Sequence, residues 1–166
     1  MKHLDGVQSG YIHDLGLSEQ EAFLDYNLVP LRLRRCIGVL GLLHKCPLGL
    51  EHDSLAQFFP HAHDVRLLSV TTRSVFRRHS RQLRDFCGAD APDYLCRSIL
   101  GMSYVYNHLP QVVVDLPSVS SFQAALSQMG RNSYGTANYS SELLFCHVNV
   151  RKSSTPNLLK LYASLV

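Results

Sequence analysis

The chain of 166 residues has no long apolar run. The longest, Ile37-Gly38-Val39-Leu40-Gly41-Leu42-Leu43, stops at His44 and Lys45. A membrane span needs about 20 apolar residues, so neither a span nor a membrane partner is expected. No secretory leader is expected either. Met1-Lys2-His3-Leu4-Asp5 brings in an acid at once, and no apolar segment follows. The expected location is intracellular, in cytoplasm or nucleus. The five cysteines (Cys36, Cys46, Cys87, Cys96 and Cys146) are odd in number and irregular in spacing. They read as free, mostly buried thiols of a reducing compartment.

The patterns that carry catalysis are also lacking. There is no Cys-x-x-Cys, no His-Glu-x-x-His and no Cys/His quartet of finger spacing. The nearest approach to a metal site is His61-Ala62-His63, with Cys46 and His52 upstream, and it reads more simply as a polar loop after Pro60. Cys87 follows an arginine cluster that would favour a thiolate, yet beside Phe86 it suits a small apolar role better. Ser9 and Ser118 sit in no Gly-x-Ser-x-Gly elbow. Gly38 and Gly41 lie inside a helical pattern with no Gly-Lys-Ser/Thr after them, which excludes a phosphate-binding loop. No Asp-Asp pair is present to hold catalytic magnesium, and Asp90 and Asp93 read as helix-start acids. The expectation is a protein that is not an enzyme and needs no cofactor or metal.

What is there is arginine. Residues 61–100 hold seven (Arg66, Arg73, Arg77, Arg78, Arg81, Arg84 and Arg97), no lysine and four acids. From Arg73 to Arg84 there are five arginines, His79 and no acid. The chain as a whole carries a net charge of only +3, so the basic character is local. Such a cluster is an electrostatic footprint for phosphate. Arg66, Arg73, Arg77, Arg78, Arg81 and Arg84 are the candidate contacts to an RNA or DNA backbone, with Phe76, Phe86 and Tyr94 available to stack on bases. A solvated basic loop, or one pairing with a partner's acids, is the plainer alternative. Arg32, Arg34 and Arg35 either extend the surface or solvate a helix start.

The elements around this cluster read as helices. Ser18-Glu19-Gln20-Glu21 is a capping box that starts a helix running to about Tyr26, with Asn27 to end it. Pro30 opens the strongest helix, with Leu33, Ile37, Leu40 and Leu43 or His44 at helical spacing and Gly49 as its C-cap. Gly38 and Gly41 leave a slim face for a packing helix, in this chain or a partner. Asp53 caps a short helix that Pro60 stops. Residues 61–86 lack a helical stripe and read as an extended, hairpin-like, arginine-rich arm. A helix from Pro92 to before Pro110 carries Leu95, Ile99, Met102 and Tyr106. Residues 112–114 read as extended. Pro117-Ser118 starts a helix bearing Val119, Phe122, Ala125, Leu126 and Met129, ended by Gly130. Residues 1–17 show no clear period, and residues 131–141 are polar and turn-rich. The expected fold is mainly α: a small helical domain over residues 1–130 with an irregular or hairpin-like arm, then a poorly defined tail over 131–166.

The order of these pieces resembles a known family. Gly16-Leu17-Ser18-Glu19-Gln20-Glu21-Ala22-Phe23-Leu24, Leu28-Val29-Pro30-Leu31-Arg32-Leu33-Arg34-Arg35 and Leu40-Gly41-Leu42-Leu43-His44-Lys45 come first. Arg97-Ser98-Ile99-Leu100, Tyr106-Asn107-His108-Leu109-Pro110 and Val113-Val114 follow, then Pro117-Ser118-Val119, Ser121-Phe122-Gln123 and Leu126. Together they resemble the region after the polymerase in non-LTR retrotransposon (LINE-type) reverse transcriptases. The resemblance covers about residues 10–130, and the tail does not share it. It implies a detached C-terminal piece that holds RNA or DNA near a polymerase. It offers no catalytic residues to carry over. A helical protein-interaction module, or a remnant with no function of its own, are the rival expectations.

Overall fold

A computed structural model describes residues 2–59, 79–84, 93–96, 98–133 and 144–145 of the chain. Among them the structure is helical: α1 (Lys2–Asp14), α2 (Glu19–Leu24), α3 (Leu31–Leu48), α4 (Asp53–Ala56), α5 (Asp93–Cys96), α6 (Ile99–Tyr106), α7 (Gln111–Val114) and α8 (Val119–Ser133). The mainly α class expected from the sequence is what is found.

Local chemistry explains the helix ends. Ser18 and Glu21 form both bonds of the capping box. The Ser18 hydroxyl accepts from the Glu21 N–H at 3.1 Å, and the Glu21 carboxylate accepts from the Ser18 N–H at 2.8 Å. The Ser18 hydroxyl also donates to that carboxylate at 2.7 Å, and this bond, with the one from the Ser18 N–H, holds the Glu21 carboxyl below the usual carboxylate range. Asn27 closes the turn after α2 in a left-handed conformation, which asparagine tolerates. Pro30 sits at the N-cap of α3 with extended backbone. At the other end Gly49 is left-handed, with φ of 65°, and Leu50 N–H returns to the Lys45 carbonyl at 3.0 Å. That is the glycine stop expected at this position.

The core is built on the crossing of α3 and α8, with α6 on another side of α3. Leu33, Ile37, Leu40 and Leu43 of α3 meet Phe122, Leu126 and Met129 of α8, all of them buried. Two glycines set how closely the helices approach. A Cβ on Gly41 would collide with the Gln123 side chain. One on Gly130 would lie 2.9 Å from Leu33 Cδ2. Gly38, by contrast, faces open space. The partner of the slim Gly41 face is therefore α8 of the same chain.

Several elements differ from the sequence reading. Residues 2–14 are helical although they lack an apolar period. Among the large apolar side chains there, Ile12 is buried while Leu4, Val7 and Tyr11 are exposed. The cap of α4 is His52, whose ring accepts from the Ser54 N–H at 3.2 Å, and Asp53 falls in the first turn. The helix expected from Pro92 to Pro110 is two helices. Ser98 takes extended backbone and caps α6, accepting from the Leu100 N–H at 3.2 Å. The Val112–Val114 stretch is a helical turn, not a strand, because Pro110 starts α7 and points Val113 and Val114 inward.

Gly130 does not end α8. It is needed for the approach of Leu33, and the helix runs on to Ser133. α8 thus continues past the change of composition at residue 131. Leu144 and Phe145 also join the core. The remainder of the tail lies outside the described residues.

Candidate nucleic-acid interface

Two of the six arginines singled out by sequence fall among the described residues. Arg66, Arg73, Arg77 and Arg78 lie outside the described residues. So do Phe76, Phe86, Cys87, His61 and His63. Arg81 and Arg84 fall in the described stretch 79–84, which is docked on α6 and α7.

This docking rests on side chains bonding to backbone. Asn107, just past α6, binds Leu83 at both ends. Its Oδ1 accepts from the Leu83 N–H at 2.9 Å and its Nδ2 donates to the Leu83 carbonyl at 2.8 Å. Gln111, the first residue of α7, accepts from the Ser80 N–H at 2.9 Å and donates to the Ser80 hydroxyl at 3.0 Å. Its amide nitrogen also donates to the Asp115 carboxylate at 2.6 Å. Leu83 is 1% exposed, so its backbone groups need these partners.

Arg81 is turned inward. Its guanidinium donates to the Val114 carbonyl at 2.7 Å. Val114 ends α7, where carbonyls lack helical partners. Arg81 therefore acts as a structural tie. Arg84 is exposed.

Beneath the docked stretch lies a knot of rings. His44 of α3 is fully buried and stacks on Phe122 of α8, with centroids 4.0 Å apart and planes 8° from parallel. Its Nε2 lies 3.1 Å from the Leu116 carbonyl, so this nitrogen carries the hydrogen and donates. Nδ1 then accepts from the Tyr106 hydroxyl at 3.0 Å. On the other side of Tyr106, His79 packs edge-on at 5.6 Å. His79 Nε2 donates to the Tyr106 carbonyl at 3.1 Å. Its Nδ1 is buried with no hydrogen-bond partner among the described residues.

Burial pushes the His44 and His79 ring pKa values down, and the nearby Arg81 charge adds to this at each. For His79 the Tyr106 carbonyl and Asp115 pull the other way. Burial likewise pushes the Tyr106 phenol up. At neutral pH the three rings of the knot are therefore uncharged, and all are buried. The knot fits a structural role, not acid–base chemistry.

The other sequence candidates are placed as follows. Arg34 donates to the Val29 carbonyl at 3.4 Å, and Arg35 lies 3.7 Å from the Asp5 carboxylate. Both contacts support the start of α3. Cys46 is buried, and that burial pushes its thiol to about 11, unsuited to a nucleophile. Among the described residues no three His, Cys, Asp or Glu side chains lie close enough to share a metal ion. Nor is any helix among them long and apolar enough to cross a membrane. A small cleft of about 150 Å³ opens between α1, α2 and α3, lined by Asp5, Gln8, Glu19 and Arg32 among others. Gln8 is committed there to the fold: it donates to the Val29 carbonyl and accepts from the Leu31 N–H, bracketing Pro30.

Sequence reasoning missed Asn107, Gln111 and His79 as anchors. The available signal was faint: polar residues next to the apolar Leu109, Val113 and Val114, close to Pro110. The chain matches no family model, and no curated protein or solved structure is similar to it.

Proposed function

We propose that this chain is a non-catalytic nucleic-acid-binding module derived from a non-LTR retrotransposon reverse transcriptase, gripping RNA or DNA phosphates with its arginine-rich stretch. The observation that carries this reading is the fixed root at residues 79–84. Arg77 and Arg78 immediately precede His79 in the chain, and His79 is tied to α6. Arg84 is exposed at the far end of the same stretch. A rigid root lowers the entropy lost when neighbouring arginines engage a ligand.

A further support comes from the residues that prompted the family resemblance. His44, Tyr106, Asn107, Val114 and Phe122 are widely spaced in sequence, yet they converge on the knot and its docked stretch. Their order in this sequence thus has a packing reason.

Binding of RNA and DNA oligonucleotides, followed by fluorescence anisotropy over a salt series, tests the proposal. Affinity should fall steeply with salt. Replacing Arg77 and Arg78 together by alanine should reduce the log–log slope by roughly 1.4–1.8 through the loss of two phosphate contacts. No binding even at low salt would overturn it. One observation favours the rival reading of a protein-docking helix: Leu4, Val7 and Tyr11 of α1, and Leu15 just after it, are all at least half exposed. Concentration-dependent self-association without nucleic-acid binding would favour that reading instead.

A further inference from the structure

We infer that His79 is an acid-sensitive latch: residues 79–84 stay docked on α6 and α7 while its ring is neutral, and leave that surface when the ring gains a second proton. This goes beyond the proposed binding role and does not depend on it.

The geometry supplies the reason. His79 is only 4% exposed. One ring nitrogen is satisfied by the Tyr106 carbonyl, and the other has no acceptor among the described residues. A second proton would place a positive charge and an unpaired N–H at that buried nitrogen. Burial of an unpaired charge is among the most unfavourable changes available to a fold.

The surrounding charged and titratable groups do not reverse this. From α6, Tyr106 presents a phenol that burial keeps protonated. Behind Tyr106, His44 of α3 is itself neutral. Within the docked stretch, Arg81 is a cation close enough to oppose a second positive charge. At the end of α7, Asp115 is the nearby anion among the described residues; its carboxylate is exposed and already accepts from Gln111. An exposed carboxylate is screened by water, whereas the orphaned nitrogen is not.

The release would be local. The hydrogen bonds of Ser80, Arg81 and Leu83 run to α7 or the residue just after α6: Ser80 to Gln111, Arg81 to Val114, Leu83 to Asn107. None of these ties involves the α3–α8 crossing. His44 differs, since it is wedged between α3, α6 and α8 and its protonation would threaten the whole core.

Hydrogen exchange on the intact 15N-labelled chain tests the latch. Amide protection factors are measured at pH 7.5, 6.5 and 5.5, alongside the His79 ring titration. The Ser80 and Leu83 amides are the reporters, because side chains accept from both. Their protection should fall by up to about tenfold per pH unit below about 6.5, while α3 and α8 amides keep theirs. His79→Gln retains a donor for the Tyr106 carbonyl and cannot titrate, so its protection should be flat with pH. The idea is overturned if the wild-type reporters do not respond. It is also overturned if α3 and α8 open with them, or if His79→Gln shows the same decline. Should that variant fail to dock, the wild-type ring titration decides. A ring that charges while Leu83 stays protected would refute the latch.

Discussion

Asn107→Ala is the sharpest probe of the docked stretch. Asn107 is 9% exposed and spends both ends of its amide on Leu83, which is itself 1% exposed. Alanine leaves a buried backbone N–H and a buried carbonyl without partners. Each orphan costs about 1–3 kcal/mol if it stays buried. The chain has a cheaper course, which is to release the stretch. Release exposes Leu83, a loss of about 1.5–3 kcal/mol. It also gives up the Ser80 and Arg81 bonds. Against this, six residues regain backbone freedom at about 1–2 kcal/mol each. The balance for the stretch is narrow, so losing the Asn107 pair should tip it.

The expected result is local. Free energy of opening at Leu83 should drop by about 2–3 kcal/mol, so its amide protection falls roughly 30- to 150-fold. The α3 and α8 amides should change far less. Asn107→Asp keeps an acceptor for the Leu83 N–H but turns a second oxygen toward the Leu83 carbonyl. It should open the stretch at least as much as alanine does. Hydrogen exchange read by NMR at pH 7.5, above the range in which His79 charges, measures both variants. A change at Leu83 of less than about threefold in Asn107→Ala would refute the argument that this pair holds the stretch.

Two further outcomes are expected. Arg81→Ala should lower stability by about 1.5–3 kcal/mol in urea unfolding, since it removes a charged donor from the Val114 carbonyl. A loss below about 0.5 kcal/mol would refute the inward role of Arg81. Stability should also fall in acid. His44 and His79 both have folded-state pKa values below the ordinary 6.5 of histidine. The unfolded chain therefore binds more protons, and the stabilisation is complete above about 6.5 and is lost as pH falls through that value toward the folded ones. The slope is up to about 1.4 kcal/mol per pH unit for each histidine, so urea midpoints at pH 7.5 and 5.5 should differ clearly. With His44→Phe, which keeps the stack on Phe122, the acid loss should be roughly halved. An unchanged pH dependence in that variant would sink the assignment.

The legible part of the fold was the part encoded locally. Ser18 and Glu21 are three residues apart, and their capping box formed as the spacing predicts. Leu33, Ile37, Leu40 and Leu43 repeat with the helix and are buried. Gly49 ended α3 because only a left-handed residue fits there. Gly130 misled because glycine has two uses. It can stop a helix, or it can let another helix approach, and Leu33, nearly a hundred residues away, decides which. The break at Ser98 was hidden in the same way, since Leu95, Ile99, Met102 and Tyr106 keep their spacing through it while the Ser98 hydroxyl restarts the helix. The anchors of the docked stretch were the least legible. Asn107 and Leu83 are 24 residues apart, and a polar side chain shows nothing in sequence of which distant backbone it will satisfy.

The same limit bears on the arginine cluster. Charge patterning treats Arg66, Arg73, Arg77, Arg78, Arg81 and Arg84 as six equivalent contacts, because net charge along a chain carries no information on orientation. The structure separates them: the Arg81 guanidinium is 2.7 Å from a backbone carbonyl at the end of α7, and Arg84 is exposed. On the proposed function, a salt titration should therefore count at most five of the six. For single-stranded RNA that sets a ceiling near a slope of about −3.5, against about −4.2 if all six contributed. Arg81→Ala should then weaken binding chiefly by loosening the root, with affinity lowered at every salt concentration and the slope little changed. A slope reduced by a full contact in that variant would mean that Arg81 leaves Val114 for phosphate when nucleic acid binds.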